Sequence, residues 1–537
     1  LSSAISIGRI LSIASYEIVV LGATLLAKGF AFFYNLIKRR SFSQTDANSR
    51  LLGGFIMIES KEQFHHRART KIVATIGPAS RSPEMVRALI RAGVSVFRLN
   101  TAHGSIADRT AVLEDIRKAS VELNYPVGVL VDLAGPKIRL GELFEDPTEF
   151  KPGDEFTIVR GDKPTSASEI TSNYKPLIDE LKVGDSIMLA DGTVSMQVTA
   201  KEPNRVVCQV GQGGLVRSRQ GINLPGTNLS VPSMTEDDIA NAIWAAEHHA
   251  DFVSLSFVRS ANDVLKLRKL LRERGSTAMV IAKIEKREAL NMLEDIVEAT
   301  DGVMVARGDL GVEIDVAETP VAQKRIVEAC RKQQKPVIVA TQMLESMHHN
   351  RRPTRAEVSD VANALLDGAD ACMLSGETAI GDYPRETVEM MTRILLSTEQ
   401  LLKSREPVYS EQSVPDIHPV TAAVVYGSAR IAERLNAKLV VCATRTSGTV
   451  RIRSKQRDAI PTIGVSDSPA ILRRMSLFWG VTPITGAPVH DGPQLRKFIE
   501  EWALPRGIVS TGDRIVFVTG TNFYPLAHNL LVIHEVG

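Results

Sequence analysis

Residues 279–311 read MVIAKIEKREALNMLEDIVEATDGVMVARGDLG. The segment holds two short apolar runs, Met279–Lys283 and Gly302–Ala306, and each is followed at once by charged residues. Short apolar runs that alternate with helical stretches are the mark of a parallel sheet with helical crossovers. The same rhythm extends in both directions. Further runs fall at Lys71–Thr75, Val94–Asn100, Val127–Asp132, Phe252–Ser256, Val337–Ala340 and Ala371–Leu374, which makes eight. Between them, Asp263–Arg274 places Val264, Leu267 and Leu271 on one helical face, and Pro320–Lys332 and Glu386–Leu402 behave likewise. Eight such units predict a closed (β/α)8 barrel of the TIM type.

Residues 133–251 break the rhythm. They carry short alternating strands at Glu155–Val159, Ser186–Leu189, Val194–Val198 and Arg205–Val210, with turn pairs Pro152-Gly153 and Asp191-Gly192. A small β-barrel lid inserted over residues 136–231 is expected, leaving 57–135 and 232–405 to the barrel. After residue 405 the pattern restarts. Val420–Leu435 reads as a helix, and Leu439–Ala443, Thr462–Val465, Arg514–Thr519 and Leu531–His534 as strands of an open α/β domain over 406–537.

Residues 1–56 stand apart. Ile18–Ile37 is mostly apolar and is followed by Lys38-Arg39-Arg40, the placement of a cytoplasmic flank for a membrane anchor. Lys28 near its middle opposes insertion by roughly 2.5–3.5 kcal/mol. Upstream translated sequence or an unstructured leader ahead of a start at Met57 is therefore favoured over an anchor, with a targeting segment as the third reading. A formal net charge of +2 offers no basic field for nucleic acid. Cys208, Cys330, Cys372 and Cys442 form no ligand pattern and read as free thiols of a reducing, cytoplasmic compartment.

In such a barrel the reactive groups lie at the C-terminal ends of the strands. Those ends carry Arg98 and Asn100, Asp132, Lys283 and Glu285, Arg307 to Asp309, Thr341, and Ser375 with Glu377. One polar residue after a strand is usually a cap, but this many together indicate a site. Glu285 and Asp309 are hard oxygen donors suited to Mg2+ (or Mn2+). The N–H groups that open the helix at Gly308-Asp309 suit a substrate carboxylate, and Lys283 and Arg98 suit a phosphoryl group in flight. The residues alone thus define a metal-dependent barrel enzyme acting on a small phosphorylated acid.

Longer motifs carry a resemblance. Thr70-Lys-Ile-Val-Ala-Thr-Ile-Gly-Pro-Ala-Ser80, Lys283-Ile-Glu285, Met304-Val-Ala-Arg-Gly-Asp-Leu-Gly-Val-Glu313 and Ala340-Thr-Gln-Met-Leu-Glu-Ser-Met347 are similar to the pyruvate kinase family. So are Pro353-Thr-Arg-Ala-Glu-Val-Ser-Asp-Val-Ala-Asn363 and Leu374-Ser-Gly-Glu-Thr-Ala379 with Gly381-Asp-Tyr-Pro384. The resemblance runs from about Arg69 to the C-terminus. It implies transfer of a phosphoryl group from phosphoenolpyruvate to ADP, giving pyruvate and ATP, by a homotetramer. It further implies that Glu285 and Asp309 ligate the divalent metal, Lys283 neutralises the moving phosphoryl group, and Arg98 binds phosphate. Thr341 would stand where the enolate is protonated, and Gly308 and Asp309 would cradle the carboxylate. Asn100, His103, Asp132, Lys137 and Arg139 would wall the nucleotide and monovalent-cation region, with Ser375 and Glu377 in support. Thr444, Thr446, Ser447, Gly448 and Thr449 resemble a loop for phosphorylated effectors, although Thr519–Asn529 lacks the glycine-rich run that usually accompanies it.

Two departures matter. Ala102 and Leu133 stand where K+-requiring members carry hydroxyls, and Lys137 stands where they carry a glutamate. The chain thereby resembles the bacterial-type, K+-independent subgroup. Two rival expectations remain. One is a barrel lyase using a metal or an uncharged Lys283 as a Schiff base, which the neighbouring carboxylates disfavour. The other is an inactive effector-binding homologue, which the intact Lys283, Glu285 and Asp309 disfavour.

Overall fold

A computed structural model describes residues 67–227, 229–402, 414–519 and 529–537. The expectations for residues 1–56, and most of the loop 519–529, lie outside the described residues. None of the described helices is long and apolar enough to cross a membrane.

Eight parallel strands close into a barrel: Lys71–Thr75, Val94–Asn100, Gly128–Asp132, Phe252–Leu255, Met279–Ile284, Gly302–Ala306, Val337–Ala340 and Ala371–Leu374. Each pairs with its neighbours in chain order, and the first closes on the eighth. Alternate residues of a strand point to opposite faces, and the two faces here have different tasks. Ile72, Ala74, Phe97, Val129, Val131 and Val253 join the outer cluster under the helices. Their neighbours Val73, Val96, Leu130, Phe252, Met279, Ile281 and Met304 belong to the cluster filling the barrel's lower interior. Burying side chains of this size stabilises the fold by about 1.5–3 kcal/mol each.

The interior face changes character along each strand. Two residues on from Val73 comes Thr75, from Val96 comes Arg98, from Leu130 comes Asp132, from Phe252 comes Ser254, and from Ile281 comes Lys283. The barrel is apolar at its N-terminal end and polar at its C-terminal end. Register fixes the polar layer: Thr75 lies opposite Arg98, Asn100 opposite Asp132, and Asp132 opposite Ser254.

The inserted segment leaves the third strand through Gly135, which has φ +71 and donates its N–H to Asp238 Oδ1 at 3.1 Å. Asp238 also closes the capping box of the helix Glu236–Glu247 that follows the insertion. The insertion has its own apolar cluster, from Ile138 to Val231. Its strands form a six-stranded sheet and a two-stranded ribbon; among the described residues their ladders do not close into a barrel.

Past the barrel, five strands form an open sheet in the order Val481–Pro483, Thr462–Val465, Leu439–Ala443, Arg514–Thr519 and Leu530–Glu535, the last one antiparallel. Val481–Pro483 escapes the sequence pattern because three residues give no period. This sheet docks under the barrel. Met475, Phe478 and Val481 share one apolar cluster with the barrel's lower interior. Lys455 and Arg457 meet the fully buried Asp370 at 2.5 and 3.0 Å. All four cysteines are buried and free.

Candidate active site

The polar layer is one connected network. Arg98 lies against Asp132, its Nε and Nη2 donating to Oδ2 at 2.8 and 2.5 Å, and its Nη1 donates to Thr75 Oγ1 at 3.1 Å. Ser254 Oγ donates to the other Asp132 oxygen at 2.5 Å. Lys283 Nζ stands 3.5 Å from Asp132 Oδ1 and 2.9 Å from Glu285 Oε1, and donates to Ser256 Oγ at 2.7 Å. Ser256 in turn donates to the Leu133 carbonyl.

Burial and charge compete at each of these groups. Burial alone would lower the Lys283 pKa, but the carboxylates of Asp132 and Glu285 outweigh it and hold the ammonium above its ordinary range. Burial would raise Asp132, yet Lys283, Arg98 and the Ser254 hydrogen bond keep its carboxyl below the usual value. Glu285 goes the other way: burial pushes it up, Lys283 opposes, and the nearby Asp309 adds to the rise.

Asp309 sits in the first turn of the helix Arg307–Glu313, directly after strand six. Its carboxylate is part-exposed and lies 3.7 Å from Lys137 Nζ. Glu285 Oε2 accepts the Phe257 N–H at 2.7 Å, while Oε1 is buried and has no hydrogen-bond partner beyond its ion-pair contact with Lys283. A buried carboxylate oxygen left in this state, facing a second carboxylate, is a donor set that fits a hard divalent cation.

Thr341 follows strand seven with φ +70, a left-handed conformation costly for a β-branched residue. Its Oγ1 donates to the Ala340 carbonyl at 2.6 Å and accepts the Gly308 N–H at 2.8 Å. Arg307 fixes this arrangement from behind, donating to the Thr341 carbonyl at 2.7 Å and pairing with Asp360. A carboxylate bound at Gly308 must therefore exchange for Thr341 on that N–H. Glu377 is fully buried and accepts the N–H groups of Ser375 and Leu344 at 2.7 and 3.2 Å, locking the segments after strands seven and eight together.

Not every expected residue joins this network. Asn100 Oδ1 accepts the Ala102 N–H at 3.1 Å, shaping its own turn. His103 is exposed, and its carbonyl accepts from Arg109. Arg139 turns into the inserted domain, where it donates to the Arg219 carbonyl at 3.2 Å. Thr444 to Thr449 lie in the C-terminal domain. There Thr446, Ser447 and Gly448 line a cavity of about 370 Å3 bordered by Arg268, Arg451 and Arg474.

Four supporting residues were missed from sequence: Thr75, Ser254, Ser256 and Arg307. The strand-end rule applied to strands one and four would have found the first three. Arg307 shows no signal in the chain, because its partner Asp360 lies 53 residues away.

A charged lysine between carboxylates, an arginine and two acidic oxygen donors at the mouth of a (β/α)8 barrel define a barrel enzyme that manages anionic charge. The barrel-domain profile of the pyruvate kinase family matches residues 67–388, and that of its alpha/beta domain matches 422–534. A pyruvate kinase of Mycobacterium intracellulare is 41% identical over 471 residues, 87% of this chain and 98% of that protein. One of Clostridium acetobutylicum is 38% identical over 84% of this chain and 96% of its own length. One of Corynebacterium glutamicum is 40% identical over 84% and 94%. The chain belongs to the pyruvate kinase family and is a phosphotransferase with that family's activity and its general dependence on a divalent metal.

Proposed function

We propose that the polar layer around Lys283 transfers the phosphoryl group of phosphoenolpyruvate to ADP, giving pyruvate and ATP. The observation that carries this assignment is Lys283 held as a cation by Asp132 and Glu285 at the barrel mouth. A permanent positive charge beside the reacting phosphoryl group favours the transition state, in which charge spreads over the equatorial oxygens. It also argues against a Schiff-base lyase, which needs the amine uncharged.

Glu285 and Asp309 are the residues to hold Mg2+ (or Mn2+), which supplies charge neutralisation for phosphate and enolate oxygens. Arg98, fixed by Asp132 and Thr75, orients the phosphate of the substrate. The Gly308 and Asp309 N–H groups hold its carboxylate when Thr341 releases Gly308. The freed Thr341 hydroxyl then faces the carbon that must be protonated, delivering the proton through water. Ser375 and Glu377 keep this segment in place.

K+ is not required in this reading. Ala102 and Leu133 offer no side-chain oxygen to a monovalent cation, and Lys137 brings its ammonium to within 3.7 Å of Asp309. His103, Asn100 and Arg139 belong to the nucleotide side of the cleft. The division into a barrel at 57–135 and 232–405, a lid at 136–231 and a C-terminal domain at 406–537 is part of the same proposal, as are a homotetramer and a cytoplasmic location. A phosphorylated metabolite occupies the loop Thr444–Thr449, with Arg268, Arg451 and Arg474 around the adjoining cavity in support. The deciding experiment is a steady-state assay with phosphoenolpyruvate, ADP and Mg2+, with calorimetric titration of sugar phosphates and AMP alongside. Pyruvate formation dependent on all three components is expected; no turnover under saturating conditions overturns the assignment.

A further inference from the structure

Away from Lys283 and Asp309, three side chains converge on the segments that follow strands seven and eight. Glu345 and His348 lie on a short 3-10 turn, Glu345–His348, and Glu377 on the turn of helix Gly376–Ala379. One ligating atom of each lies within 4.8 Å of the others. We propose that Glu345, His348 and Glu377 form a second metal site, for a borderline divalent transition ion such as Zn2+.

His348 supplies the independent sign of a ligand. Its Nε2 is buried and has no hydrogen-bond partner. The closest acidic oxygen on its own turn, Glu345 Oε1, is 3.6 Å away, too far for a hydrogen bond. That separation matches two ligands of one ion, since Zn–N and Zn–O bonds of about 2.0–2.2 Å place neighbouring ligand atoms roughly 3.3–3.6 Å apart. Packing keeps the ring where it is. A Cβ on Gly376 would fall 2.2 Å from His348 Cε1 and 2.5 Å from Nε2, so only glycine admits the imidazole edge against this backbone.

The carboxylates divide the remaining work. Glu377 is immobilised, each oxygen accepting one backbone N–H, and each keeps a further lone pair. Such outer hydrogen bonds orient a metal-binding carboxylate. The Glu345 side chain is more than half exposed and free to swing inward, and water reaches the fourth position from the same side. Imidazole nitrogen with two carboxylates selects Zn2+ or its neighbours over Mg2+. Glu285 and Asp309 offer oxygen alone. The bound ion staples the turn 345–348 to the helix 376–379, in the segment that begins at Thr341.

The test uses the full chain carrying Asp309→Asn, so that the pair Glu285 and Asp309 is disabled, with Mg2+ in excess. Co2+ is titrated by visible absorption and Zn2+ by calorimetry. One equivalent of Co2+ with tetrahedral-type bands, displaced by Zn2+, is expected. His348→Ala and, separately, Glu345→Gln at its exposed position each weaken that binding by more than about tenfold. Zn2+ raises the melting temperature of the Asp309→Asn protein and not that of either double variant, because only a ligand bound to the folded form stabilises it. No uptake, or an equivalent retained by both double variants, overturns the proposal.

Discussion

Lys283 and Lys137 are both cations at the barrel mouth, and their surroundings assign them different work. Lys283 is buried and bound by two carboxylates and a hydroxyl, so it stays charged in every state of the protein. Lys283→Met keeps the length of the side chain and removes the charge. Turnover is expected to fall by about 10²–10³ or more, while substrate binding, measured by fluorescence or calorimetry, changes little. Near-normal turnover in that variant would remove Lys283 from the chemistry. Lys137 is part-exposed and touches only Asp309. If it replaces a monovalent cation, the wild type works in tetramethylammonium buffer, and adding K+ raises the rate less than tenfold, or less than about 1.4 kcal/mol in the barrier. Lys137→Glu is expected to be crippled there and only partly rescued by K+, because Ala102 and Leu133 still supply no oxygen. Full rescue would mean that the cation site is intact after all. The charged members of this site were legible because each ends an apolar run. Ser254 and Ser256 were not, since a serine after a strand looks like a cap until Asp132 and Lys283 are seen to lean on it.

At the scale of elements, the insertion bears on the site through one hairpin tip. Ala190, Asp191 and Gly192 all have positive φ, at 50, 53 and 87°, which turns the chain sharply between the strands Ser186–Leu189 and Val194–Glu202. A Cβ on Gly192 would lie 3.3 Å from Val312 Cγ2, on the helix that carries Gly308 and Asp309. The tip rests on the element that presents the metal carboxylate and the carboxylate cradle, as a closing lid would. Gly192→Val combines a left-handed backbone with a crowded contact, and a raised KM for ADP is expected. Val312→Ala in the same chain restores part of it by making room. An unchanged KM in Gly192→Val would mean that the tip does not close on this helix during turnover. The Asp191-Gly192 turn was legible from its residue types, and the four longer strands of the insertion from their alternation. Its pieces Thr148–Phe150, Gly214–Val216 and Ile222–Asn223 are two or three residues long, too short to show a period, and only tertiary pairing defines them.

The whole molecule is joined beneath the barrel, and that junction was the least legible feature, because its partners lie hundreds of residues apart. Arg69 and Thr70 meet Gly480 and Trp479 through hydrogen bonds, and Lys71 donates its ammonium to the Val481 carbonyl at 2.6 Å. Nothing local marks Lys71, the first residue of a barrel strand, as a contact of the C-terminal domain. The cost of placing it there is visible in its proton affinity: burial, reinforced by Arg67 and only partly opposed by Glu399, lowers its pKa from the ordinary 10.5 to about 7. Between these values the unfolded chain binds a proton that the folded chain has released. Stability therefore rises with pH across this window, by about 1.4 kcal/mol per pH unit from this group. Below about pH 7 the folded protein carries the whole burden of a buried ammonium; above 10.5 it carries none. Lys71→Met removes the titration and leaves the Val481 carbonyl without its donor, so the absolute offset between the two proteins does not diagnose the effect, whereas its trend does. Melting temperatures of wild type and Lys71→Met, measured side by side from pH 7 to pH 10, are expected to shift in favour of the wild type as pH rises. Groups common to both proteins cancel in that difference. A gap that stays constant with pH would mean that Lys71 keeps its proton throughout and that the junction beneath the barrel is wetter than its packing implies.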